Sequence, residues 1–278
     1  MTEQDYSAEM VTWEQERLDF LRNPEGYLSL VGLCWLHEGV NQIGSDHSND
    51  CIFPRGLPAH MGMITVENGT FYLSLADGVA ATVAGEPVRT VQLFADMDAA
   101  GPTIVQQGTI SWFVIKRGDA LGIRIRDAHS QTLQRFEGVA RYAVDREWRV
   151  SAEFIPHETP RTVAVPTILG TPADMISPGS VRLTVKGHTQ ALVALKSGKR
   201  NRLFLIVADE TSGKESYGGG RFLTTEEIDA DNRVVVDFNK ATNPPCAFSP
   251  YATCPRPPAE NRLPLPIQAG EKTYHYTL

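Results

Sequence analysis

The sequence predicts a mostly β protein: an N-terminal helix, a β-sandwich, and then an antiparallel β-barrel capped by a proline-rich loop. Three observations carry this. Helical spacing of apolar residues occurs clearly only near the start of the chain. Afterwards the pattern changes to short alternating or apolar runs broken by Gly, Asn and Asp. Near the end, residues 243–258 hold six prolines, which no central strand accommodates.

Met10, Trp13, Leu18 and Leu21 form one apolar stripe and predict a helix over 7–22. Ser7 is the expected N-cap, and Asn23-Pro24 ends the helix because the residue before proline avoids the helical region. The first segment is therefore 1–25. Strands are expected at 27–36, 41–43, 63–67, 70–75, 82–83, 88–93, 103–106, 110–116 and 121–126. Asn68-Gly69 is a hairpin signal, and Arg117-Gly118-Asp119 reads as a tight turn. These strands make a unit over 26–138. A second unit, 139–278, has strands at 149–154, 161–165, 180–186, 190–195, 202–208 and 234–238. Consecutive short strands imply antiparallel meanders, since parallel pairs need long crossovers.

Composition narrows the partners. A hydrophobic share of 42% with 21% charged residues is that of a globular protein. The net charge of -7, with no basic stripe, argues against nucleic acid. No apolar run reaches the roughly 20 residues that span a bilayer, so no membrane partner is expected. The first residues lack a basic start and apolar core, and the expected location is the cytoplasm. The four cysteines, Cys34, Cys51, Cys246 and Cys254, are then expected as thiols. The C-x7-C spacing of the last two is not that of structural zinc, so no metal and no cofactor is expected. His37, His47, His60, His129, His157, His188 and His275 show no metal spacing, and G-x-S-x-G, H-E-x-x-H and kinase signatures are absent.

Two resemblances follow from particular stretches. "NQIGSDHSNDCIFPRGLPAHMGMITVENGTFYLSL", ending at Leu75, resembles the forkhead-associated sandwich. That family reads phosphothreonine with an arginine after its glycine; here Ser45 follows Gly44, and Leu57-Pro58-Ala59 precedes His60. The resemblance implies the scaffold without the phosphate donors. "GYLSLVGLCWLHEGVNQIGSDHSNDCIFP", "SYGGGRFL" and "DFNKATNPPCAFSPYATCPRPPAENRLPLPIQAGEK" together resemble domain-of-unknown-function family 1684 of bacteria and archaea. That resemblance implies kinship and no particular activity.

Candidate site residues lie in the second unit. Gly218–Gly220 allow a close backbone approach before Arg221, whose planar fork suits a carboxylate from a ligand or from Asp237 or Glu260. Strand alternation would send Asp237 and Asn239 to one face and Phe238 to the other. The expected site therefore has Asp237 and Glu260 as acid/base groups. Arg221 and Lys240 act in it as anion clamps, and Tyr217, Asn239, Asn243, Tyr251 and Asn261 as ligand-binding groups. The expected function is binding of a small polar or anionic metabolite, with turnover and simple binding both open. The alternative is a non-enzymatic module whose sandwich meets a protein partner.

Overall fold

The computed structural model describes residues 2–199 and 201–275. The chain divides into two compact units, Asp19–Phe136 and Met1–Leu18 together with Glu137–Thr277. Helix α1 (Glu3–Arg22) starts before the expected Ser7. Thr2 Oγ1 accepts the Asp5 N–H at 3.1 Å, and the Asp5 carboxylate accepts the Thr2 N–H at 2.9 Å. This reciprocal box satisfies end donors that a Ser7 cap would have left to the following turn. The earlier start extends the apolar stripe to Tyr6, which is fully buried with Met10.

In Asp19–Phe136 the strands are β1 (Leu30–Leu36), β2 (Gly39–Gly44), β3 (Cys51–Ile52), β4 (Gly62–Glu67), β5 (Thr70–Leu75) and β6 (Ala81–Val83). They continue with β7 (Glu86–Val88), β8 (Thr90–Leu93), β9 (Val105–Gln107), β10 (Ile110–Arg117) and β11 (Ala120–Asp127). One sheet runs β1-β11-β10-β9-β6-β7 and the other β3-β2-β4-β5-β8. Both face a core that includes Ile43, Phe53, Ile64, Leu73, Trp112 and Ile123. Strand β5 shows why: Phe71, Leu73 and Leu75 are buried while Tyr72 points outward, the period of a sheet with one covered face. Asn68 and Gly69 join β4 to β5 with φ of +51° and +76°, as the mirror-image hairpin turn requires.

The expectation of four thiols is overturned for one pair. Cys34 on β1 and Cys51 on β3 are bonded, with Cα atoms 5.6 Å apart, inside the range a disulfide needs. Their separation of 17 residues gave no hint, because the approach is made by the folding of β1 beside β3.

The second unit contains β12 (Arg149–Val165), β13 (Ala173–Val185), β14 (His188–Lys196), β15 (Leu203–Val207), β16 (Arg221–Thr224) and β17 (Arg233–Asp237). They form one antiparallel sheet, β16-β15-β14-β13-β12-β17, curled into a half-barrel. Its first and last strands approach where the Glu226 N–H reaches the Val235 carbonyl at 3.1 Å. The two strands expected at 149–154 and 161–165 are one strand with a register shift between Pro156 and Arg161. The concave face packs around Trp148, Val181, Leu192, Leu205, Val236 and Phe238. The proline-rich segment is ordered by short 3-10 turns at Pro245–Ala247 and Ala259–Asn261. It closes on Gly220, where a Cβ would meet Pro257 Cγ at 2.4 Å; only glycine, at φ +87°, admits that approach.

Candidate functional site

A polar cavity of about 290 Å³ opens in the half-barrel unit. Trp13 and Glu16 of α1 line one side, and Lys199 and Arg202, from the turn before β15, another. Strand β16 contributes Phe222, Leu223 and Thr224, followed by Thr225 and Glu226; the end of β17 contributes Asp237, with Lys240 and Thr242 just beyond. Asp237 is 3% exposed, so its carboxyl is a buried polar group in the wall of the cavity.

The local fold fixes that carboxylate. Strand β17 stops at Asp237 because its own side chain accepts the Asn239 N–H at 3.1 Å and starts a 3-10 turn, Phe238–Lys240. Phe238 enters the core, while Asn239 turns back so that its Nδ2 donates to Asp237 Oδ1 at 3.1 Å. The Tyr6 hydroxyl shares its proton between the two Asp237 oxygens at 2.9 and 3.0 Å, and accepts from Asn239 Nδ2 at 2.9 Å. Asn239 is held in turn by Asp145, whose N–H it accepts at 3.1 Å and whose carbonyl it donates to at 2.8 Å.

Burial pushes the Asp237 carboxyl above the usual carboxylate range, although the Tyr6 and Asn239 hydrogen bonds oppose the shift. Burial, and then the charge of Asp237, pushes the Tyr6 phenol well above its ordinary value, so the shared proton stays on tyrosine. A carboxyl whose pKa is raised by burial, in the wall of a polar cavity, can exchange a proton with a bound molecule.

Charge around the cavity is mixed. Lys240 is ion-paired with Glu9, Glu226 receives Arg149 at 2.7 Å, and Arg202 lies 3.7 Å from Glu227. Among the described residues, Lys199 and Glu16 make no ion pair. Lys199 is therefore the cation with the most capacity left for a ligand.

Of the residues expected to form the site, Asp237 and Lys240 line the cavity, and Asn239 supports Asp237 from behind. The others are placed elsewhere. Arg221 is fully buried, and its fork is filled by the protein: Nη2 contacts Asp209 at 2.7 Å and the Ile267 carbonyl at 3.0 Å, and Nη1 the Ala269 carbonyl. Its carboxylate partner is Asp209, where a ligand's carboxylate, Asp237 or Glu260 was expected. Asn243 donates its N–H to Glu271 at 2.6 Å and its amide to the Lys272 carbonyl at 2.7 Å. Glu271 is also held by Arg17 at 2.8 Å. Asn261 accepts the Val193 N–H at 2.7 Å and donates to the carbonyls of Val193 and Ile206 at 3.0 Å each. It thus replaces ladder bonds between β14 and β15 beyond their short pairing at Leu195 and Lys196. Glu260 is exposed, and Tyr217 and Tyr251 are half-buried without lining the cavity.

Sequence reasoning missed Tyr6, Trp13, Glu16, Lys199, Arg202 and Glu226. Tyr6, Met10 and Trp13 do carry a signal, the i, i+4, i+7 spacing of one helix face. In the sandwich, where no phosphate reading was expected, Ser45 and Asn49 are engaged internally. Ser45 Oγ donates to the Leu57 carbonyl at 2.7 Å and Asn49 Nδ2 to the Ala59 carbonyl at 2.8 Å. Among the described residues, no group of three or more His, Cys, Asp or Glu side chains is arranged to hold a metal.

Residues 134–272, half of the chain, match the family described as protein of unknown function DUF1684. The chain belongs to this family. The match takes in the whole half-barrel sheet and every wall of the cavity except those from α1. An uncharacterized protein of Haloarcula marismortui, solved in solution by NMR, is 30% identical to this DUF1684 protein. That alignment covers 50% of this chain and 78% of the other, with a TM-score of 0.43. A forkhead-associated domain, described for its phosphothreonine-dependent interactions, aligns at 21% identity and a TM-score of 0.23. It covers 34% of this chain and 92% of that one. No curated protein matches the chain.

Proposed function

We propose that the half-barrel unit binds a small anionic metabolite in the Asp237 cavity and uses Asp237 to move a proton on it. The observation that carries this reading is that one cavity is lined both by a buried, hydrogen-bonded carboxyl of raised pKa and by Lys199, which makes no ion pair among the described residues. The cavity of about 290 Å³ suits a metabolite of a few carbons. Lys199, with Arg202 beside it, takes the carboxylate or phosphate of the ligand. A hydroxyl or amine on the same molecule then reaches Asp237, which accepts or returns its proton. Glu16 and Glu226 disfavour a second anionic group at the rim.

The test is thermal stabilisation and calorimetry with a panel of hydroxy acids, amino acids and sugar phosphates. A ligand at a hundred times its Kd should stabilise the protein by about 2.7 kcal/mol. Lys199→Glu should abolish that stabilisation, and Asp237→Asn should abolish any turnover. A panel with no stabilising anion, or binding indifferent to Lys199→Glu, would overturn the reading. No helix among the described residues is long and apolar enough to cross a membrane. An oxidising compartment suits the Cys34–Cys51 bond better than the cytoplasm expected from sequence.

A further inference from the structure

The proline-rich segment holds a second arrangement that plays no part in the cavity. Cys246 and Cys254 face each other through reciprocal bonds: the Cys246 N–H donates to Cys254 Sγ at 3.1 Å, and the Cys254 N–H to Cys246 Sγ at 3.2 Å. Each sulfur therefore sits against the other residue's backbone N–H, and neither is in a disulfide. The segment is held in that shape from both sides. Pro244 and Pro245 fix the approach to Cys246, and Pro250 and Pro255 constrain the intervening turn and its exit. The Cys254 carbonyl accepts the Ile168 N–H at 3.0 Å, and the Arg256 N–H reaches the Pro166 carbonyl at 2.7 Å. Little conformational freedom remains to be lost when the sulfurs join.

From this geometry we propose that Cys246 and Cys254 form a dithiol–disulfide couple that exchanges with small-molecule disulfides. The order of events follows from exposure. Cys246 is half-buried whereas Cys254 is 6% exposed, so Cys246 attacks and Cys254 resolves. The Cys246 thiolate attacks one sulfur of a disulfide such as oxidised glutathione and expels one glutathione thiolate. The Cys254 thiolate then attacks the Cys246 sulfur of that mixed disulfide and expels the second. One S–S bond forms in the protein and one is broken in glutathione. Two electrons pass to glutathione, and the two thiol protons leave with its two thiols. Backbone N–H donors aimed at both sulfurs stabilise the thiolates that each step needs.

The full-length protein is reduced, equilibrated in glutathione buffers from fully reduced to fully oxidised, alkylated and digested with trypsin. Both cysteines fall on one peptide, 241–262, because Arg256 precedes Pro257 and is not cut. Cys34 and Cys51 share another, 23–55, which serves as the internal control. The expected result is conversion of 241–262 from a doubly alkylated form to an unalkylated form two hydrogens lighter than the dithiol peptide. Cys254→Ser should accumulate a glutathione adduct on Cys246, and Cys246→Ser should gain one on Cys254 more slowly. Circular dichroism checks that each variant is folded, and the wild-type conversion decides the matter if one is not. A wild-type peptide that stays doubly alkylated, or stops at a glutathione adduct, overturns the proposal.

Discussion

Replacing Arg221 by methionine removes the guanidinium that faces Asp209 while keeping most of the side-chain volume. Both charges are fully shielded from water, with an N–O distance of 2.7 Å. Breaking a buried pair by deleting one partner costs about 3–5 kcal/mol, because the other charge is left without compensation. Asp209 would keep the Thr211 N–H at 2.8 Å, the Thr211 hydroxyl at 2.6 Å and the Ile267 N–H at 3.2 Å, which softens the loss. The Ile267 and Ala269 carbonyls would each lose a donor, at about 1 kcal/mol apiece. The two corrections oppose each other, and about 4 kcal/mol stands as the expected loss. For a domain of this size that lowers Tm by about 8–16 °C. Scanning calorimetry of the wild type, Arg221→Met, Asp209→Asn and the double variant measures it. The double variant should lose less than the sum of the singles, since neither charge remains buried alone. A single-variant loss below about 1 kcal/mol, or strict additivity, would refute the assignment of Arg221 to an internal pair.

Asp237→Asn should be at least as stable as wild type near neutral pH while losing the proposed proton transfer. Burial raises the native carboxyl pKa, so the native state holds its proton more tightly than the unfolded chain. The stability this contributes is complete below the unfolded value of 3.8 and is lost as pH rises through the raised native value. The asparagine variant should show no such decline in a melting series across that window, and an unchanged decline would place its source elsewhere. Tyr6→Phe removes the hydroxyl from both Asp237 oxygens and should cost about 1.5–3 kcal/mol by urea denaturation at pH 7. A neutral outcome would mean that water replaces the hydroxyl without loss. Opening the Cys34–Cys51 bond releases a 17-residue separation and should cost the sandwich about 3 kcal/mol in a melt with and without reductant. An unaltered melt would show that the bond does not constrain the unfolded chain.

What is legible in the sequence follows from how local each signal is. Strand β5 begins and ends where expected because Asn68-Gly69 fixes one end and Phe71, Leu73 and Leu75 set the register. Strand β16 escapes notice because three glycines precede Arg221 and the strand has only four residues, yet it forms a wall of the cavity. The site divides in the same way. Asp237 stands out as a carboxylate at a strand end, but its partner Tyr6 lies 231 residues away. Arg221 is conspicuous for the glycines before it, and nothing near it in sequence points to Asp209 rather than Asp237. The choice between a ligand and an internal partner is made by long-range packing, which spacing and alternation do not encode.

The bond between Tyr6 and Asp237 has a consequence for the order of events during synthesis. The unit that holds the cavity is discontinuous: it takes most of α1, up to Leu18, and its sheet from beyond Glu137. Between them the ribosome makes all of Asp19–Phe136, a span with its own core that can collapse as soon as it emerges. At roughly 5–20 residues per second, the leading helix waits some tens of seconds before its carboxylate partner exists. For that interval Tyr6 and Met10 are exposed with nothing of their own unit to cover them. During that interval the nascent chain is vulnerable at Tyr6 and Met10, and a chaperone that shelters this helix would protect a cavity not yet translated.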